Sequence, residues 1–480
     1  MGADRLRPCA LILGVVCAAC ESEDTTPAVT VHVLASPGAS ALVGASTLAF
    51  SFRVTEPEQF ERPLQSDGSA VPSFAFSFPG VEAVATVEVE ARDAGGLVRG
   101  RGRSVPFLIS AGRNEQVAVL VLRAGSFAAA PDHVRLGAAR AHHTAVPILD
   151  QWLLVAGGAD AGSALRSMEI LDLLVLKFAD PPPSMPASRS RSAAIPLDRA
   201  RTAYFGGVRE ASQVDLFDAS TGTWSALPMP AGAPPAWVAP AFAAFEDGTA
   251  LVMGGFDGSG NPVGEIARVT AGGVELPAAT TARAGPTVTA IETPSGPRAF
   301  VFGGNARGTP SAELIDPATG ASSPAGTPPD DARTRHAAVR VGPSRVLIAG
   351  GVGDDGRAAT YVWRFDAACL APEAGCDVWS TLGPALAEGP FFDAQGVAID
   401  AAEGDPRVIF ACGVEAGEAP MREGVHMDTA GSAPNRRPLR TPRSACALVR
   451  LQNGSIVVVG GLDATGAPLA SIEFLEPDRL

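Results

Sequence analysis

Four arginines in this sequence keep a common phase. Arg140, Arg189, Arg333 and Arg443 each stand seventeen residues ahead of a glycine (Gly157, Gly206, Gly350 and Gly460), and Trp237 stands seventeen ahead of Gly254. A guanidinium presents a planar fork of donors that matches carboxylates and carbonyl oxygens. Repeated in phase, such groups suit either of two tasks. They could ring a channel mouth and hold an anionic glycan or carboxylate, or they could hydrogen-bond neighbouring structural units together.

Other reactive groups are sparse. The chain has six histidines, and His142, His143 and His336 share related phases with Cys446. No histidine pair has zinc-ligand spacing with a third ligand, so core or channel-lining positions are expected. Asp160, Asp257, Asp354, Asp355 and Asp463 lie beside glycines. That pairing forms turns, and Asp354-Asp355-Gly356 has too few ligands for a calcium loop. No G-x-S-x-G elbow or phosphate loop occurs. No catalytic set, metal or cofactor is therefore expected.

The elements that position these residues show a repeat. An apolar run ending in a glycine pair recurs at Gly157-Gly158, Gly206-Gly207, Gly254-Gly255, Gly303-Gly304, Gly350-Gly351 and Gly460-Gly461, and a seventh copy reads Cys412-Gly413. The steps between first positions are 49, 48, 49, 47, 62 and 48 residues. The long step holds Cys369 and Cys376, which suit a small loop disulfide. Cys412 and Cys446 remain open as two buried thiols or a second bridge. Asp172, Asp218, Asp316, Asp366, Asp428 and Glu476 end the next apolar run in phase, with Thr270 in the third copy, and Trp224 and Trp379 follow in two copies.

Seven phased glycine pairs, with Asp218-Ala219-Ser220-Thr221-Gly222-Thr223-Trp224 as the fullest unit ending, resemble the kelch repeat and the central propeller of galactose-oxidase-like proteins. The resemblance covers about Arg140 to the C-terminus. It implies a seven-bladed β-propeller, with one four-stranded sheet per repeat. The copper chemistry of that group does not carry over. It needs tyrosines and a Cys–Tyr cross-link, and only Tyr204 and Tyr361 are present, at unlike phases. Cys412 in a first-glycine slot implies that this slot need not have positive φ in its copy. The last unit lacks a fourth strand, and the segment Gly125 to Ala130 has the phase to supply it.

Ahead of the repeat, Val29–Val33, Thr47–Val54, Ser73–Phe78, Thr86–Arg92, Leu97–Ile109 and Gln116–Leu122 read as strands. Glu88 and Glu90 share one strand face, and Arg99, Arg101 and Arg103 share another, which suits cross-strand charge pairing. An immunoglobulin-like β-sandwich over 29–123 is expected. At the N-terminus, Arg5 and Arg7 precede an apolar run, Cys9 to Ala19, that is too short to span a bilayer. The run ends in Ala18-Ala19-Cys20, which resembles a bacterial lipobox. By that resemblance 1–19 is a lipoprotein signal peptide, Cys20 is lipidated and 20–28 is a tether.

The formal charge of −14 argues against nucleic acid and anionic membrane as partners. The expectation is an all-β, monomeric cell-envelope lipoprotein, held to the outer membrane by its lipid alone. Its propeller, 124–480, binds a protein or glycan without catalysis. The alternative is an extracellular carbohydrate-active enzyme using carboxylates at the propeller face.

Overall fold

The apolar runs ahead of the glycine pairs are strands buried on both sides. In the computed structural model Leu153–Ala156, Leu251–Met253, Phe300–Phe302 and Ile456–Val459 are all inaccessible to solvent. That is why these runs are continuously apolar and do not alternate. Each is the second strand of a four-stranded antiparallel sheet, and the described residues contain seven such sheets. Their first strands are Thr144–Ile148, Ala193–Pro196, Ala241–Ala244, Thr287–Thr293, Ala337–Arg340, Gln395–Ile399 and Ala447–Arg450, here the first strands of sheets 1 to 7. The described residues are 26–477, without 38–39, 55–57, 65–71, 181–182, 209–212, 235, 305–310, 330–332, 354, 372–374, 384–385, 387–388, 400–405 and 430–433. Cys20, the expected signal peptide, most of the tether and Asp354 lie outside them.

Every sheet is open, and each buries its faces against neighbours. One apolar cluster joins sheets 1 and 2 through Leu154, Tyr204 and Phe217. Others join 2 to 3, 3 to 4, 4 to 5, 5 to 6 and 6 to 7. A further cluster joins sheet 7 to sheet 1 through Val457, Val459, Phe474, Leu153 and Val155. The first strand of each sheet lies beside that of the next, and the first strand of sheet 7 lies beside that of sheet 1. Sheet 7 takes its fourth strand from far upstream. Phe127–Ala129 pairs with Ile472–Leu475, in the register Phe127↔Leu475, Ala128↔Phe474 and Ala129↔Glu473.

The in-phase acids start the turn into the fourth strand. The Asp172, Asp218, Asp316 and Asp366 carboxylates accept backbone N–H bonds two residues on, and the Thr270 hydroxyl does the same for Gly272. Trp379 donates from Nε1 to the Ala325 carbonyl of the preceding sheet at 2.8 Å, and Trp224 packs on Tyr204 and Phe217. Cys369–Cys376 and Cys412–Cys446 are both disulfides.

One expectation about the glycine pair is corrected. Cys412 has φ 71°, so this slot is left-handed in the seventh copy as well. The second position is the exception there, since Gly413 is not left-handed. The disulfide to Cys446 holds Cys412 in a conformation that glycine adopts more cheaply.

Residues Ala28 to Val121 form two sheets around one core of Val29, Val31, Phe50, Phe52, Phe76, Val87, Val89 and Val119. The sheets have three and five strands. The expected strand Leu97–Ile109 is two strands, Val98–Arg103 and Phe107–Ile109, split before Pro106, which has no N–H to give a ladder. An edge strand, Glu58–Pro63, is additional to the expected set. Arg103 faces Glu88 and Arg101 faces Glu90, with ion pairs of 3.1 and 2.7 Å.

This unit docks on the seam between sheets 7 and 1. Leu34, Val105, Ala118 and Leu122 join the apolar cluster of those sheets. Gln151 Nε2 donates to the Pro106 carbonyl and Asn453 Nδ2 to the Arg103 carbonyl, each at 2.7 Å. Beside the seam lies Glu476. Burial pushes its carboxyl up to about 7; a hydrogen bond from Ser455 opposes this, Glu88 adds to it and Arg101 opposes it. A raised acid contributes stability that is fully present below the unfolded value near 4.5 and is lost as pH rises through about 7. Glu476→Gln is therefore expected to gain on the order of 3 kcal/mol over the native protein at pH 8, and little at pH 4. Urea unfolding at both pH values checks this, and an equal effect at the two refutes it.

Candidate functional site

The phased arginines are buried. Arg140, Arg189 and Arg443 are 0% exposed and Arg333 is 2% exposed, so of the two tasks open to them their burial fits the hydrogen bonding of neighbouring units and not a ligand-holding ring at a channel mouth. They are staples. Each occupies the position four residues ahead of a first strand. Arg140, Arg189 and Arg443 donate from Nη1 to the carbonyls of Gly157, Gly206 and Gly460 in their own sheets, at 2.8, 2.6 and 2.9 Å.

The equivalent residue of sheet 4 is Arg283, which reaches the Gly303 carbonyl at 2.7 Å. In sheet 3 the indole Nε1–H of Trp237 reaches the Gly254 carbonyl at 2.6 Å, doing the work of a guanidinium with one donor. The backbone of the same residue ties back to the preceding sheet. Gly158, Gly207, Gly304, Gly351 and Gly461 donate to the carbonyls of Arg189, Trp237, Arg333, Phe391 and Arg140 at 2.8–2.9 Å. The glycines are obligatory at this approach, since a Cβ on Gly206 would lie 2.1 Å from the Trp237 carbonyl oxygen.

Each buried charge is matched. Arg140 pairs with Glu169, Arg189 with Asp215 at 2.8 Å, Arg283 with Glu313 at 2.5 Å and Arg443 with Glu473 at 2.5 Å. Arg333 lies over the Trp363 ring, 5.7 Å from its centroid. Burial lowers the proton affinity of the Arg140 and Arg443 guanidiniums, and their carboxylate partners oppose this. Burial raises Glu313, but hydrogen bonds from Thr280, Ser322 and Arg283 outweigh it and leave the group below its ordinary value.

His143 and His336 occupy the position just ahead of the first strands of sheets 1 and 5. Both are buried against the first glycine of a preceding sheet, Gly460 and Gly303 respectively. Burial, with Arg140 beside His143 and Arg333 beside His336, holds both imidazoles at about 3. Cys446 has the same position in sheet 7, and there the contact is the covalent bond to Cys412. The glycine-flanked aspartates form turns, as their sequence suggests. Asp160, Asp257, Asp355 and Asp463 each accept backbone N–H bonds within their own loops, and no group of metal-ligating side chains occurs among the described residues.

The exposed chemistry sits two residues beyond the staples. His142, Arg191, Ala239, Gly285, Arg335, Asp393 and Ala445 share one position and all are left-handed, with φ between 50° and 68°. Their backbones form a belt of two hydrogen-bonded runs, Ala445-His142-Arg191-Ala239 and Arg335-Asp393. Arg191 donates to the His142 carbonyl, Ala239 to Arg191, Asp393 to Arg335 and His142 to Ala445, at 2.8–3.1 Å. Six non-glycine residues in this region carry strain of about 1–3 kcal/mol each, a cost found at ligand clamps more often than elsewhere.

The side chains on the belt are polar at two pairs of neighbouring sheets, His142 with Arg191 and Arg335 with Asp393, and small at Ala239, Gly285 and Ala445. Arg335 is held by Asp393 at 2.6 Å and by Glu418 at 2.7 Å, and these bonds raise its proton affinity and keep Glu418 below the ordinary carboxylate range. Arg191 is exposed, with no ion pair among the described residues. His142 is half-buried; burial and Arg191 lower its pKa and Asp393 opposes them. No known protein family matches the chain, and no curated protein resembles it in sequence. The assignment of a site therefore rests on this geometry.

The staple and belt positions differ in a way that unfolding can read. Arg443→Met leaves the Glu473 carboxylate buried without its counter-charge and is expected to cost about 3–5 kcal/mol. Arg191→Met, two residues beyond the matching staple of sheet 2, is expected to change stability by no more than about 0.5 kcal/mol. Chemical denaturation of the two variants compares them directly, and similar losses would return Arg191 to a structural role.

Proposed function

We propose that the seven sheets are the blades of a kelch-like β-propeller, that the two-sheet unit ahead of them is an immunoglobulin-like sandwich, and that the belt end of the propeller binds a protein or glycan partner through an anionic group. Support for the propeller comes from the seven apolar clusters between successive sheets, including the one between sheets 7 and 1. Sharing of the last sheet between distant segments supports it too, since this removes an exposed edge.

The binding reading is carried by one observation: a strained belt that displays Arg191 uncompensated beside His142, next to small residues at Ala239, Gly285 and Ala445. An exposed guanidinium with open space around it recognises carboxylate or sulfate in a bidentate way. The sandwich docks at the opposite end of the sheets, through the turns at Gln151 and Asn453, which leaves the belt end clear.

The proposed setting is the cell envelope, with the chain exported and lipidated at Cys20. Two disulfides suit an oxidising compartment. The carbohydrate-active alternative has less support. Glycoside hydrolysis needs one carboxyl held protonated, and at the belt Glu418 is shifted the other way by Arg335.

Two experiments test these readings. Screened against glycans and acidic peptides, the purified protein is expected to favour ligands bearing carboxylate or sulfate. Arg191→Glu is expected to weaken binding by tenfold or more at unchanged stability. Selection of neutral ligands, or indifference to the substitution, would refute the belt as the site. Mass spectrometry of the mature protein from a bacterial envelope is expected to find Cys20 as the first residue, bearing a diacylglyceryl group. An unmodified N-terminus refutes the anchor.

A further inference from the structure

Sheet 5 departs from the repeat in its third strand. In sheets 1, 2, 4 and 7 the acid that neutralises the staple pairs with the residue two ahead of the first glycine, as Val155↔Glu169, Tyr204↔Asp215, Val301↔Glu313 and Val458↔Glu473. In sheet 5 the same register is Ile348↔Trp363, and the staple Arg333 lies over that indole. Two residues before the acid stand Ser167, Gln213, Ser311 and Ser471; in sheet 5 that place holds Tyr361. The backbone there does the same work in each case. Ser167, Gln213 and Ser471 accept from their staples through the main-chain carbonyl at 3.1 Å, and Tyr361 does so at 3.3 Å. The scaffold therefore asks nothing of the Tyr361 side chain, and the four equivalents are small or polar.

The Tyr361 and Trp363 rings are stacked, with centroids 5.9 Å apart and planes at 17°. Trp363 is half-buried, whereas Tyr361 is 47% exposed and is the one aromatic among the exposed large apolar residues described. The others lie elsewhere: Val43, Val84, Leu97 and Leu108 in the sandwich, Val175 in sheet 1 and Val208 in sheet 2. Thr381 stands opposite Trp363 in the ladder, so it shares that face, and it is exposed. Packing on the tryptophan holds the outer ring in one orientation before anything binds, and a tyrosine has few torsions to lose.

We infer that the Tyr361 ring is a stacking platform for one pyranose unit of a glycan. The face of an aromatic ring is the negative side of its quadrupole. The C–H groups on one face of a pyranose are weakly positive, so the two meet face to face while the sugar hydroxyls stay at the edge, near the Thr381 hydroxyl. A protein anchor needs further apolar contacts around it to exclude water. No other exposed large apolar residue among those described belongs to sheet 5, so the platform matches a single sugar and not a protein patch. The inference rests on the glycan branch of the proposed function, but it shares no residue with the belt and does not depend on Arg191.

The test is an array of neutral and acidic pyranose oligosaccharides beside acidic peptides, probed with the native protein and with Tyr361→Phe, Tyr361→Leu and Arg191→Glu. The native protein is expected to retain oligosaccharides. Tyr361→Phe keeps the ring and is expected to bind them within about twofold of native. Tyr361→Leu keeps apolar bulk without the ring and is expected to weaken every bound oligosaccharide about tenfold while leaving peptides unchanged. Selection of peptides alone, equal losses on sugars and peptides, or indifference of sugar binding to Tyr361→Leu each overturns the platform. Neutral sugars weakened by Tyr361→Leu and not by Arg191→Glu would leave the platform standing without the belt. Acidic sugars weakened by Arg191→Glu alone would leave the belt standing without the platform.

Discussion

One donor on one side chain organises the repeat. In five of the seven sheets, at the position four residues ahead of the first strand, a guanidinium or indole N–H caps the carbonyl of the first glycine in its own sheet. The carbonyl of that same residue receives the second glycine N–H of the sheet before. The residue therefore fixes two sheets relative to one another with bonds made on opposite sides of its own backbone. Everything else follows from satisfying it: glycines where the approach leaves no room for a Cβ, carboxylates where the guanidinium is buried, and a disulfide where a cysteine has replaced the first glycine. Where the staple is Trp237 or Phe391, the acid is relieved of its duty, and Glu265 and Glu423 in the corresponding third strands are only half-buried.

This explains which parts of the fold were legible in the sequence. The glycine pairs and the in-phase Asp172, Asp218, Asp316 and Asp366 repeat because backbone geometry repeats, and geometry tolerates few residue types. The upstream strand Phe127–Ala129 was legible for a related reason: a sheet missing one strand leaves a gap that only one segment has the phase to fill. Arg283 was hidden by arithmetic. Its hairpin, Thr287–Thr293 with Gly296–Phe302, is longer than the others, so counting back from Gly303 lands on Pro286. Counting from the first strand finds it at once.

The site was legible only with an offset of two. Arg189-Ser190-Arg191 and Arg333-Thr334-Arg335 each hold two arginines. Constancy of type across repeats drew attention to the first of each pair, yet constancy is the mark of a part serving the scaffold. The belt position holds His, Arg, Ala, Gly, Arg, Asp and Ala around the seven sheets, and such variety is what a surface free of packing duties shows. Sequence gave no hint that this position is left-handed throughout, because six of its seven residues are not glycine. The backbone belt that imposes the conformation is a tertiary contact between sheets, invisible to local pattern.

The junction of Phe127–Ala129 with Ile472–Leu475 has a kinetic side. Its two halves are separated by almost the whole repeat array, so this ladder belongs to the most non-local pairings the chain can make, and loop-closure entropy delays it. A stack of repeats with free termini can peel from its ends one unit at a time. Here the terminal unit is latched by a strand from the other extremity, by the docked sandwich and by Cys412–Cys446, so peeling has no starting point. Loss of structure then has to pass through rupture of that latch, which makes unfolding slow and concerted even though the individual repeats are alike.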